Sequence, residues 1–209
     1  SRYYGELENN NNIKWMITDS NELILYGNGS IPDYTRYHQP EWYEYKDKIT
    51  SITIREGIQS IGIYSIYDLS KVNTINVNIN NQHLKSINNV LMTKDEKEII
   101  QYPIGNIQMT TYIIPSTVEK IRNGAFTNCH YLQSIEVDLT NKNFTSVDGV
   151  LFRKDKKELY QYPIGKVTQS YTIPDNTTTI KEGSFQYSSL QSITITDTIT
   201  TIENNAFSD

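Results

Sequence analysis

Val90–Gly105 reads VLMTKDEKEIIQYPIG, and Val150–Gly165 reads VLFRKDKKELYQYPIG. The two stretches lie sixty positions apart and agree at eleven of sixteen places. Agreement of that density marks a duplicated unit, so the chain is read as a repeat protein before any site is sought. In the first copy, Val90–Thr93 and Glu98–Tyr102 have strand character and flank the charged quartet Lys94-Asp95-Glu96-Lys97. The second copy holds Lys154-Asp155-Lys156-Lys157 in the same place. Each stretch is predicted to be a β-hairpin, closed by the breakers of Tyr-Pro-Ile-Gly.

Working outward, shorter repeats surround the pair. Ile52-Thr53-Ile54 leads to Ile58, Ile61, Ile66 and Val72, and then Ile75 begins again. Tyr112-Ile113-Ile114-Pro115, Tyr171-Thr172-Ile173-Pro174 and Ile193-Thr194-Ile195 open comparable units. The apolar anchors Ile61, Ile87, Ile121, Val147, Ile180 and Ile202 mark about six coils over residues 49–209, the last one truncated. One short strand and an irregular return path per coil cannot bury an apolar side alone, so the coils must stack. The expected fold is a β-rich solenoid: a right-handed coil, one short parallel strand per repeat, and the hairpins inserted on the return side. Six strands at roughly 4.8 Å spacing give a sheet about 24 Å across.

The period of two along a strand separates two faces. If Ile52 and Ile54 point inward, with their equivalents in each coil, the outer central column is Thr53, Asn76, Ile113, Glu136, Thr172 and Thr194. The column before it is Ser51, Thr74, Thr111, Ser134, Ser170 and Ser192, hydroxyl residues throughout. These twelve residues are the candidate partner-binding face. Small hydroxyl residues also suit any solvated sheet, so the pattern admits a purely structural reading. Asn76, Ile113 and Glu136 break the regularity that an ice-ordering array would need.

Ahead of the coils, residues 1–12 are a polar lead-in with four consecutive Asn, expected to fray. Residues 13–48 are expected to form a hairpin and aromatic cap module. Its strands are Ile13–Thr18 and Leu23–Tyr26, joined by the turn residues Asp19-Ser20-Asn21-Glu22. Tyr34, Tyr37, Trp42, Tyr43 and Tyr45 crowd the rest. These rings either cap the solenoid or offer Trp42, Tyr43 and Tyr45 as a platform for a glycan, since Trp and Tyr combine an apolar body with a polar handle.

Composition narrows the function. The chain has 209 residues, with 29 Ile against 11 Leu and 16 Tyr, a β-rich profile. Net charge is −5 and no Lys/Arg run exists, which argues against a nucleic-acid partner. No apolar run approaches the roughly 18 residues of a membrane span. Cys129 is the single cysteine, so neither an internal disulfide nor a cysteine zinc cluster is available. His38, His83 and His130 do not pair at metal-ligand spacing. Cys129 is expected inward and His130 outward, which separates the one nucleophile from the one nearby base. Glu41 and Glu44 lack an opposed partner across a cleft. No catalytic residue, cofactor site or metal site is expected. The chain opens without Met and stops mid-repeat at Ala206-Phe207-Ser208-Asp209, so it is expected to be a piece of a longer protein.

The run Ile113-Ile114-Pro115, Val118, Ile121, Ala125-Phe126, Cys129, Leu132 and Ile135 resembles the BspA-type leucine-rich repeat. So do Val147 to Pro163 and the lead-in from Trp15 to Tyr34. Arg55, Thr196, Ile66 and Ser184 depart from the pattern. The resemblance implies a leucine-rich-repeat solenoid without enzymatic activity, from a cell-surface or secreted protein. It further implies an adhesive role, with an extracellular matrix, host or neighbouring-cell surface protein as partner.

Overall fold

The computed structural model describes residues 3–208, which fall into two compact units, residues 1–106 and 107–209. The fold is a β-solenoid of leucine-rich-repeat type. In the first unit β1 (Tyr3–Leu7), β2 (Asn10–Ile17) and β3 (Glu22–Gly27) form an antiparallel meander. β4 (Gly29–Ile31) and a 3-10 turn (Glu41–Tyr45) follow. Then come β5 (Ser51–Ile54), β6 (Ile58–Ile61), β7 (Thr74–Val77), β8 (Leu84–Ile87), β9 (Val90–Thr93) and β10 (Glu98–Gln101).

The second unit repeats the plan. It contains β11 (Thr111–Ile114), β12 (Lys120–Ile121), β13 (Ser134–Val137), β14 (Phe144–Val147), β15 (Val150–Arg153) and β16 (Glu158–Gln161). It closes with β17 (Ser170–Thr172), β18 (Thr179–Ile180), β19 (Ser192–Thr194) and β20 (Thr201–Ile202).

The described part of the expected frayed lead-in, from Tyr3 onward, is largely strand. Tyr3–Leu7 pairs with β2 from Tyr3↔Ile17 to Leu7↔Asn10. Leu7 is buried, and Tyr3 stacks at 4.4 Å on Tyr45. The alternation of inward apolar and outward polar residues in YYGEL is too short to outweigh the neighbouring asparagines on sequence alone. β3 then pairs in parallel with β5, so the hairpin continues the coil sheet rather than lying over its end.

The duplicated stretches fold alike. Asn88 and Asn89 both have positive φ, as do Asp148 and Gly149. Two successive left-handed residues make the tight turn that suits a two-residue hairpin, here Ile87↔Val90 and Val147↔Val150. The result is a three-stranded antiparallel meander in each copy, one strand more than the sequence reading. At the tips the Asp95 and Asp155 carboxylates accept from Lys97 N at 3.0 Å and Lys157 N at 2.9 Å. The Arg153 guanidinium, bonded to Asp155, holds that carboxyl down to about 2.

The Tyr-Pro-Ile-Gly ending is set by close packing. Gln161 donates from Nε2 to Tyr162 O and Ser184 O, and Ile164 is buried. Gly105 N donates to Val72 O at 2.7 Å and Gly165 N to Leu132 O at 2.9 Å. A Cβ on Gly165 would lie 2.7 Å from His130 O and from Leu132 O, so only glycine permits that approach.

The expected continuous sheet is not formed. The strands that open the coils make three parallel ladders, β3-β5-β7, β11-β13 and β17-β19, while β4-β6 and β16-β18-β20 pair in parallel further along the coils. In the second unit Ile135 N donates to Gly149 O at 2.8 Å, and Ser146 Oγ donates to Ile135 O at 2.6 Å. Ser86 Oγ donates likewise to Ile75 O. The meander's first strand, and in the second copy also its first turn, thus satisfies edge groups of β7 and β13 that a next strand would have used.

One repeat position carries an unmet polar group. Ser184 is fully buried and its hydroxyl has no partner, whereas Ser65 at the same place donates to Gly62 O at 2.6 Å. Ala125 and Ala206 occupy that place elsewhere. Ser184→Ala is expected to stabilise the protein by about 0.5–2 kcal/mol, because the desolvation cost of the hydroxyl disappears. Urea midpoints of the two proteins measure this, and an unchanged or lower midpoint contradicts it.

Candidate binding face

Strand alternation buries the predicted inward residues of β5 and β11, Ile52, Ile54, Tyr112 and Ile114, and also Ile75, Ile135 and Ile173, while Val77, Val137, Tyr171 and Ile193 are only half-buried. Ile195 does not follow, being 46% exposed at the last ladder. The outward residues lie in register within each ladder. Ser51 pairs with Thr74 and Thr53 with Asn76; Thr111 pairs with Ser134 and Ile113 with Glu136; Ser170 pairs with Ser192 and Thr172 with Thr194. The twelve candidates are therefore three groups of four and not one column of six.

In the first unit the face is wider than the sequence reading allowed. The rung of Thr53 and Asn76 continues through the buried Ile24 and the half-buried Met16 to Tyr4. Tyr4 is 71% exposed. Glu22 stands beside Ser51 and accepts a hydrogen bond from the Thr53 hydroxyl. Arg55 lies over the Tyr26 ring at 5.6 Å, so a charged group borders the apolar row. The signal in the sequence is the pair of apolar runs Ile13–Thr18 and Leu23–Tyr26, which predicts a hairpin but not which strand it joins, and Tyr4 carries no signal of its own.

In the second unit Ile113 is 61% exposed at the centre of its group. Beside it Glu136 accepts from Ser134 Oγ at 2.8 Å and from Ser146 Oγ at 3.1 Å, which orients the carboxylate. Ser170, Thr172, Ser192 and Thr194 are all exposed. In this unit the outward residues are mostly hydroxyl-bearing, with Ile113 as a single apolar side chain among them.

The aromatic cluster divides. Trp42 is 0% exposed, and its Nε1 donates to Ser65 O at 2.9 Å. Tyr45 packs on Tyr3 and Trp15. Tyr43 is half-buried with Lys46 5.2 Å from its ring centre. The platform of Trp42, Tyr43 and Tyr45 is therefore not assembled: the Trp42 ring is buried and Tyr45 packs on the core side.

The remaining chemistry is sparse. Cys129 is buried, burial pushes its thiol well up, and its nearest acceptor is Thr127 O at 3.8 Å. His130 lies outside, bonded through Nδ1 to Asn128 at 3.0 Å. Among the described residues no three His, Cys, Asp or Glu side chains are grouped to hold a metal, and no helix is long and apolar enough to cross a membrane.

Comparison with known proteins gives the following. The family model described as BspA type leucine rich repeat region matches residues 38–100 and 160–209, together more than half of the chain. Among solved structures, a leucine-rich repeat protein from Eubacterium ventriosum ATCC 27560 is 26% identical, with a TM-score of 0.56, over 98% of this chain and 63% of that one. The pneumococcal vaccine antigen PcpA is 17% identical, with a TM-score of 0.49, over 98% and 68%. A leucine rich cell surface protein from Faecalibacterium prausnitzii A2-165 is 16% identical, with a TM-score of 0.34, over 95% and 76%. The chain thus spans less than two thirds of the Eubacterium ventriosum protein. No curated protein matches it.

Proposed function

The chain belongs to the BspA-type leucine-rich-repeat family, and from that membership we propose that it is a non-catalytic binding domain of a cell-surface or secreted protein. Its partner is a protein of the extracellular matrix, or of a host or neighbouring-cell surface, and the contact is the open face of the parallel ladders. One observation carries this reading. Asn76, Thr111, Ile113, Ser170, Thr172, Ser192 and Thr194 stay exposed and in register with the candidates of neighbouring coils, although the strands that hold them have inward neighbours in the core. Short, mostly hydroxyl-bearing side chains such as these lose little side-chain entropy when they are covered. Tyr4 and Ile113 are the apolar anchors on which such an interface concentrates its energy.

The test is adhesion of the purified chain to immobilised extracellular-matrix proteins and to cultured animal cells. Thr53, Thr172 and Thr194 are changed together to Lys. Three long charged side chains on the ladders are expected to lower binding by at least about tenfold, with the circular dichroism spectrum unchanged. Undiminished binding by the folded triple variant removes this face as the contact.

A further inference from the structure

The turn after each apolar anchor gives an internal comparison of four coils. Three positions beyond Ile61, Ile121, Ile180 and Ile202 stand Tyr64, Gly124, Gly183 and Asn205, and all four have positive φ. Glycine and asparagine take that backbone readily, whereas a bulky tyrosine does so only against steric strain. Tyr64 keeps the strained conformation at φ 64 while remaining half exposed, so full burial of its ring does not offset the strain. Six positions beyond the anchors the series is Tyr67, Thr127, Gln186 and Ser208. Only the first coil is aromatic at both places. Tyr64 and Tyr67 meet edge to face with ring centres 4.6 Å apart. Asp68, next in the chain, lies 3.9 Å from Lys46 Nζ, and Lys46 in turn lies over Tyr43.

We propose that Tyr64, Tyr67 and Tyr43, with the Lys46–Asp68 pair, form a carbohydrate site for a pyranoside. A pyranose ring offers an apolar C–H face and a rim of hydroxyls, which complements half-exposed tyrosine rings bordered by a cation and a carboxylate. The ammonium and the carboxylate stand side by side, so neighbouring sugar hydroxyls can accept from Lys46 and donate to Asp68. The site is separate from the ladder face and does not depend on that reading. It also explains why a strained tyrosine occupies a glycine position.

The other coils supply the test variants: Tyr64→Gly, Tyr67→Thr and Asp68→Asn each install a residue found at that position elsewhere in the chain. The full chain and each variant are applied to an array of neutral mono- to tetrasaccharide pyranosides, with a proline-rich peptide as a second probe, and their melting temperatures are recorded. The expected result is binding of at least one pyranoside by the parent chain, reduced about tenfold or more in every variant. Tyr64→Gly is expected to melt no lower than the parent. The proposal is overturned if no pyranoside binds or if the variants bind as the parent does. It is equally overturned if only the proline-rich peptide binds, or if Tyr64→Gly melts well below the parent, which makes the ring structural.

Discussion

Asn141→Ala is expected to lower the unfolding free energy by about 3–5 kcal/mol, although it removes a polar side chain from a β-solenoid core. Asn141 is 1% exposed. Its Nδ2 donates to Pro115 O at 2.8 Å and to Val118 O at 3.0 Å, and its Oδ1 accepts from Asn143 N at 2.8 Å and Phe144 N at 2.9 Å. The side chain therefore ties the turn between β11 and β12 to the start of β14, one coil further on. Truncation strands two carbonyls and two N–H groups, at about 1–3 kcal/mol for each that stays dry. Asn143 Nδ2, 3.5 Å from Val118 O, offers a partial substitute, which keeps the loss below the full sum. Urea unfolding followed by circular dichroism measures it, and a loss under about 1 kcal/mol would show that water repairs the site.

Asn141→Asp adds a pH signature. A carboxylate facing Pro115 O and Val118 O is repelled, so the folded protein raises the pKa of this carboxyl above its unfolded value of about 4. For a raised pKa, the relative stability is fully present below the unfolded value and is lost as pH rises through the folded one. The variant is therefore expected to be closest to the parent near pH 3 and furthest from it near pH 7.

Asn81 makes the same four contacts one duplication earlier, to Arg55 O, Ile58 O, His83 N and Leu84 N. Neither asparagine stood out in the sequence. Hydrophobic periodicity locates strands and inward columns, and it placed β9, β15, the buried Ile114 and Ile135, and the charged tips of the meanders. It is blind to a polar residue whose burial rests on backbone groups of another coil. The same limit explains the three ladders. Ser86, Ser146 and Gly149 end the pairing of β7 and β13 through hydroxyl and carbonyl contacts that no apolar pattern records. On the face, period two separated the sides in β5 and β11 but failed at Ile195, while the rung through Ile24, Met16 and Tyr4 depended on a parallel pairing between β3 and β5 that local sequence does not encode.

The second large effect falls on the aromatic cluster. Trp42→Ala is expected to destabilise the protein by about 3–5 kcal/mol, the range for emptying a buried aromatic site. The ring packs edge-on against Trp15 at 6.2 Å and Tyr34 at 6.4 Å, beneath the 3-10 turn that follows Pro40. Trp42→Phe separates the two parts of the loss. Phenylalanine refills much of the volume but cannot donate to Ser65 O, the bond now made at 2.9 Å. Its residual cost is expected to be about 1–3 kcal/mol, the cost of one buried carbonyl left without a donor. Because Ser65 adjoins Tyr64, that carbonyl also ties the cap to the strained turn of the first coil. Trp42→Phe should therefore loosen this turn without removing any ring from its surface. Amide exchange at Ser65 and Tyr67 reads this directly. Faster exchange there, with exchange in β11 and β13 unchanged, is expected if Trp42 acts as the anchor of the cap. Exchange equal to the parent's at these amides would mean that Asp33, through its 2.7 Å bond from Ile63 N, holds the turn alone.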